Sequence, residues 1–261
     1  MTNDQFESVV EELISIKKEI VKSNDFLKEK IEAAPFLNPF NPHAYLSFKA
    51  LEESCELISA HMEHAMVFRA NRPEDLYAVL LHALEQPLID GLVLEFGVYS
   101  GKSINLISER LPNRRIFGFD SFEGLPTEWA GRHVKQGHFK KVELPEVNDN
   151  VHLIKGWFDD TLPIFVDANE EQPVSFLHID CDLYSSTKTV FDNLRKRIVP
   201  GTIIVFDEYM NYTTWRHHEH RAFMELCESE NIEFTYLAFG LQQASVRIDK
   251  IGRKDKCPSA K

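Results

Sequence analysis

The chain has 261 residues, 43% of them hydrophobic and 27% charged, which is enough for one large α/β domain with a buried core, and no Gly/Ser/Pro-rich linker divides it. Its 41 acidic against 29 basic residues give a formal net charge of −12. That charge repels phosphate backbones and anionic bilayers, so nucleic acid and membranes are excluded as expected partners.

The opening stretch "MTNDQFESVVEELISIKKEI" is amphipathic and charged, unlike a signal peptide, and no segment approaches ~18 uninterrupted apolar residues. Cys55, Cys181, Cys227 and Cys257 are scattered without a CxxC pair, as suits a reducing cytoplasm. Apolar residues from Phe6 to Ile20 recur at helical spacing, and residues 5–32 are expected to form one or two amphipathic helices, available for core packing or for a homo-oligomer contact. After the Pro/Asn-rich break at 35–43, helical patterns resume over 48–68 and 75–84. Residues 1–88 are therefore expected to be a helical region and 89–261 an α/β domain.

From Leu92 the texture changes. The runs "LVLEF" (92–96), "RIFGF" (115–119), "VHLI" (151–154), "VSFLHID" (174–180) and "TIIVF" (202–206) alternate with helical stretches such as 102–110 and 185–196. This alternation predicts a parallel sheet with right-handed helical crossovers. The last two runs, 232–238 and 243–248, are joined by "FGLQ", short enough for a hairpin and hence an antiparallel final strand.

In such a sheet, ligands sit outside the carboxyl ends of the strands. The first run ends "EFGVYSGKS", Glu95 to Ser103, where Gly97 and Gly101 permit a tight turn and close approach to a ligand. It is not a Walker loop, because Phe96 stands where that motif needs its first glycine, and it lacks the third glycine of a dinucleotide fingerprint. The second run ends in Asp120, placed to accept hydrogen bonds from ribose hydroxyls, and "SFEGLP" (121–126) follows as a covering loop. In "KGWFDDTLP" (155–163), Trp157 and Phe158 can flank a planar base while Asp159 meets a polar edge. The fourth run ends "HIDCD" and the fifth "VFDEY". Adjacent strands lie ~4.8 Å apart, so Asp180, Asp207 and Glu208 can converge, and a hard divalent cation with oxygen ligands is the simplest remedy for their repulsion.

The ordered set "VLEFGVYSGKSI", "FGFDSFEGLP", "GWFDDTLP", "HIDCDLYSSTKT" and "VPGTIIVFDEY" resembles the macrocin O-methyltransferase family over Leu92 to Phe223. The resemblance implies a Rossmann-like class I methyltransferase fold with a seven-stranded sheet whose last strand is antiparallel. It also implies S-adenosylmethionine and Mg²⁺ as cofactors, and methyl transfer to a hydroxyl of a sugar or polyol natural product. By that similarity Gly97 and Gly101 hold the methionine end of the cofactor, Asp120 the ribose, and Trp157, Phe158 and Asp159 border the adenine. Glu95, Tyr99, Ser103, Ser121 and Phe122 join the cofactor site. Asp180 joins the cofactor site and, with Asp207 and Glu208, the metal. Asp182 matches the family's general base. Two departures stand out: the family usually has Asp at the position of Glu208, and often Gly at that of Cys181.

Other candidates draw blander readings. His217, His218 and His220 beside Glu219 imitate a zinc set but read as the start of a helix bordering the substrate pocket. His61 and His64 share a helical face by spacing, His138 lies in a variable loop, and His178 reads as a hydrogen-bonded core histidine. Two rival functions remain: a glycosyltransferase using Asp180-Cys181-Asp182 as a D-x-D element, and a non-catalytic interaction protein.

Overall fold

The structure is a computed structural model describing residues 41–69, 73–169 and 172–252. The helices expected over 5–32, and Cys257, lie outside the described residues. The chain divides into two compact units, 1–49 and 50–261. In the first, the described residues open helix α1 (Pro42–Ser59), where the Asn41 side chain accepts the Ala44 amide at 3.1 Å as an N-terminal cap.

The second unit continues α1 and then carries β1 (Met66–Val67), a 3-10 turn (Pro73–Tyr77) leading into α2 (Ala78–Leu84), β2 (Leu92–Phe96), α3 (Lys102–Arg110), β3 (Ile116–Asp120) and β4 (Val151–Lys155). It ends with α4 (Phe158–Ala168), β5 (Val174–Ile179), α5 (Tyr184–Leu194), β6 (Ile203–Phe206), α6 (Glu219–Glu230), β7 (Ile232–Phe239) and β8 (Ala244–Ile251). The strands form one sheet in the order β1-β7-β8-β6-β5-β2-β3-β4. Only β8 runs antiparallel to its neighbours, β6 and β7, as the hairpin spacing predicts. The order reverses between β2 and β5, and the crevice beyond their carboxyl ends is where this topology admits a ligand.

Strands β2, β5 and β6 are buried along their whole length, which explains their continuous apolar runs. Alternate residues feed opposite faces. Leu94, Phe96, Leu177, Ile179, Ile204 and Phe206 pack with α4, α5 and α6, whereas Val93, Phe176, Ile203 and Val205 pack with α2 and α3. Glu95 and His178, opposite each other in register, fall on the second face.

Two expectations are corrected. The helical pattern read over 48–68 ends at Ser59, residues 60–64 turn, and Met66–Val67 add a short edge strand beside β7, so the sheet has eight strands, not seven. The cause is packing: His61 lies 4.6 Å from the Tyr236 ring and 6.5 Å from that of Phe239, drawing the chain alongside β7. His61 and His64 consequently share no helical face. Among the described residues no helix is long and apolar enough to cross a membrane.

Candidate active site

The glycine turn after β2 is the most constrained point of the crevice. Gly97 has φ +96°, its amide donates to the Phe119 carbonyl at 3.0 Å, and a Cβ there would lie 1.6 Å from the Asp180 carbonyl oxygen. No other residue fits between the ends of β2 and β5. Gly101, with φ +80°, opens α3.

Asp120 at the end of β3 is anchored by three amides. Its Oδ2 accepts from Val98 at 2.9 Å and Tyr99 at 2.8 Å, and its Oδ1 from Phe122 at 2.6 Å. A carboxylate offers about four lone-pair positions, so capacity for a ligand hydroxyl remains while the side chain fixes the turn. Tyr99 stands exposed above it, edge-on to Phe139 at 5.4 Å with the Lys141 ammonium 4.5 Å from its ring.

A cavity of about 390 Å³ joins these strand ends. Of the residues singled out in the sequence, Gly97, Tyr99, Asp120, Ser121, Trp157, Phe158, Asp159, Asp180, Asp182, Asp207 and Glu208 line it. Glu95, Gly101, Ser103 and Phe122 do not. Glu95 is wholly buried, its carboxylate 2.8 Å from His178 Nδ1 and accepting the Ser103 hydroxyl at 3.2 Å, so both act behind the turn. Phe122 is buried with φ +56° and supports the loop. Trp157 is 40% exposed at the rim, whereas Phe158 packs edge-on against Phe96 at 5.3 Å and Asp159 accepts the Thr189 hydroxyl at 3.0 Å.

Past β5 and β6 the acidic groups converge. One carboxylate oxygen from each of Asp180, Asp207 and Glu208 lies within 4.8 Å of the others. Burial, then the Asp207 charge, raises the carboxyls of Asp180 and Glu208 well above the usual range. Glu208 Oε2 is buried without a hydrogen-bond partner. Three hard oxygens, mutual repulsion and an orphaned buried acceptor fit a divalent cation such as Mg²⁺. Asp182 stands beside this group with φ +63°. Burial and the Asp207 charge push its carboxyl up to about 7, opposed by the Arg132 guanidinium.

Sequence reasoning passed over two neighbours. Arg132 lies 4.6 Å from the Trp129 ring and 4.8 Å from that of Tyr212, a cation held between two rings and near enough to Asp182 for its charge to act on that carboxyl. Glu219, read only as part of a helix start, is wholly buried against the acidic group and accepts the Glu208 amide at 3.2 Å. The flanking histidines make ring contacts instead of a metal set: His218 with Trp129 and Tyr212, His220 with Tyr209 and Trp215. His138 stacks edge-on with Phe139 at 4.3 Å.

Comparison with known proteins agrees with this geometry. Residues 94–209 match the family model described as a methyltransferase domain. A tetracenomycin-rhamnosyl 4'-O-methyltransferase of Streptomyces olivaceus is 30% identical over 50% of this chain and 58% of its own. Demethyldecarbamoylnovobiocin O-methyltransferase of Streptomyces niveus is 26% identical over 47% of this chain and 54% of its own. The chain thus spans little more than half the length of the curated relatives it matches. The crystal structure of a calicheamicin methyltransferase superposes with a TM-score of 0.54 at 23% identity, covering 67% of this chain and 80% of that one. The likeness establishes the fold, a Rossmann-like methyltransferase sheet.

Proposed function

We propose that the chain is an S-adenosylmethionine-dependent, divalent-metal-dependent O-methyltransferase acting on a hydroxyl of a sugar or sugar-containing natural product, of the macrocin O-methyltransferase type. The convergence of Asp180, Asp207 and Glu208 in the cavity that the Gly97 turn also lines carries this reading. When bound, S-adenosylmethionine supplies the methyl group and the cation supplies Lewis-acid polarisation of the acceptor. The residues do the rest. Asp180, Asp207 and Glu208 would hold the cation; the Gly97 turn, Asp120 and Trp157 would hold the cofactor. Asp182 would accept the proton that the acceptor hydroxyl gives up when it is methylated. The curated relatives' names, which include a rhamnosyl compound, support the sugar class.

The partners follow from this reading: a small-molecule hydroxyl acceptor, with neither nucleic acid nor membrane, and a homo-oligomer through the N-terminal region. The cytoplasm is the proposed location, and 1–88 and 89–261 the proposed division of roles between helical region and methyltransferase domain.

The test is methyl transfer from labelled S-adenosylmethionine to a panel of rhamnosides and nucleotide-linked deoxysugars, with Mg²⁺ and with EDTA. Mg²⁺-dependent label in an acceptor is the expected result; hydrolysis of a nucleotide sugar without methyl transfer would favour the D-x-D glycosyltransferase. Trp157→Ala is expected to weaken S-adenosylhomocysteine binding about tenfold, the worth of one aromatic stacking contact, with unchanged thermal stability. Titration calorimetry checks it.

A further inference from the structure

Glu219 opens α6 outside the residues that match the methyltransferase model, and the chemistry assigned to the cavity leaves it unused. It is 0% exposed. A carboxylate is seldom buried so completely unless it is paired, and among the described residues no cationic side chain forms a salt bridge with this one. What it meets is backbone. Its Oε2 accepts the Glu208 amide at 3.2 Å, and the Asp182 amide approaches the same carboxylate. Apart from that, Oε1 meets no partner among the described residues.

Those two amides belong to different strand ends. The ladder between β5 and β6 finishes at Ile179 and Phe206, and one more bond, from the Asp207 amide to the Ile179 carbonyl at 2.9 Å, extends it. Among the described residues no further backbone hydrogen bond joins the two turns that follow. The first turn is strained. Asp182 has φ +63°, and the Leu183 amide closes an i to i+2 bond of 2.6 Å on the Cys181 carbonyl. A non-glycine residue holds such a conformation only where its surroundings over-determine it.

We propose that Glu219 is a positioning residue whose single buried carboxylate grips the backbone of Asp182 and of Glu208, fixing the separation of the proton acceptor from the metal ligand. A carboxylate suits the task because its oxygens accept from backbone amides and donate to none. The inference rests on the roles given above to Asp182 and Glu208.

The test pairs Glu219→Gln, which keeps an acceptor oxygen, with Glu219→Leu, which keeps only volume. Two quantities are read: Mn²⁺ affinity by calorimetry with S-adenosylhomocysteine bound, and amide exchange rates of Asp182 and Glu208 in the metal-free protein. Glu219→Leu is expected to weaken Mn²⁺ binding by about tenfold or more, the usual effect of removing a group that orients a metal ligand, and to speed both amides, while S-adenosylhomocysteine affinity holds within about twofold. Glu219→Gln is expected to stay within about threefold of the native protein in both. Native Mn²⁺ affinity and exchange rates in Glu219→Leu would overturn the proposal; so would a Gln variant as impaired as the Leu one, which would assign the effect to charge. If the native protein binds no Mn²⁺, the metal reading of the cavity fails by itself, and the two exchange rates still decide whether Glu219 braces the turns.

Discussion

Asp182→Asn is expected to lower methyl turnover by about two to four powers of ten, the usual contribution of a positioned general base, and to leave S-adenosylhomocysteine binding nearly unchanged. The asparagine is the informative variant because it preserves shape. Asp182 sits at φ +63°, and Asn is among the few residues that tolerate the left-handed region, so the turn survives the change. What disappears is the ability to accept a proton. In the native protein the carboxyl is buried and close enough to Asp207 to be pushed up to about 7, with Arg132 pulling the other way. A base poised near the working pH is the most effective one, since it is largely ionised before the step and still basic enough to take the hydroxyl proton. Steady-state kinetics on the acceptor identified by the panel, together with Mn²⁺ titration, check the assignment. Turnover within about threefold of the native rate would remove Asp182 from the proton transfer. Loss of Mn²⁺ binding would instead make it a metal ligand.

Much of this site could be read from the chain because strand ends carry their own punctuation. Buried parallel strands must be nearly continuous apolar runs, so Asp120, Asp180 and Asp207 mark where each run meets the crevice. Gly97 was readable for the same reason, as a glycine at a strand end, although the cause of its requirement, the Asp180 carbonyl 1.6 Å from a hypothetical Cβ, exists only in three dimensions. Glu219 was not readable. An acid in the first turn of a helix ordinarily faces water and complements the helix dipole, and nothing in "HHEHRAF" distinguishes that from an acid turned inward onto the Glu208 amide. Glu95 shows the same limit. Its place beside the glycine turn is readable, but its burial on the α2 and α3 face, with its carboxylate on His178, belongs to the folded sheet. The edge strand β1 escaped notice because two residues are too few for any period to show.

The second large effect concerns metal removal and pH. In EDTA the folded protein is expected to lose stability steadily from pH 5 to pH 8; in millimolar Mg²⁺ the decline should vanish or reverse. The acids Asp180, Asp182, Glu208 and Glu219 all hold their protons in the folded, metal-free state to higher pH than in the unfolded chain, chiefly through burial. Unfolded, such groups ionise near pH 4. Above that pH the native state therefore binds more protons than the unfolded state, and the free energy of unfolding falls as pH rises. The stabilisation is complete below about pH 4 and lost on the way up through the folded values. Each retained proton makes the slope steeper by about 1.4 kcal/mol per pH unit. Asp182 alone, titrating at about 7 in the fold, accounts for about 2.5 kcal/mol between pH 5 and pH 8. A cation at Asp180, Asp207 and Glu208 takes the place of those protons, so it binds more tightly as pH rises and stabilises the fold by about 2.7 kcal/mol when present at a hundred times its dissociation constant. Thermal unfolding at each pH, with EDTA and with Mg²⁺, gives both curves. Asp207→Asn should flatten the EDTA curve, because Asp207 is the largest charge contribution to the raised carboxyls of Asp180 and Glu208, and should abolish the gain from Mg²⁺. An EDTA curve that is flat or rises with pH in the native protein would mean that these carboxylates are ionised and separately solvated, and that they form no cation site.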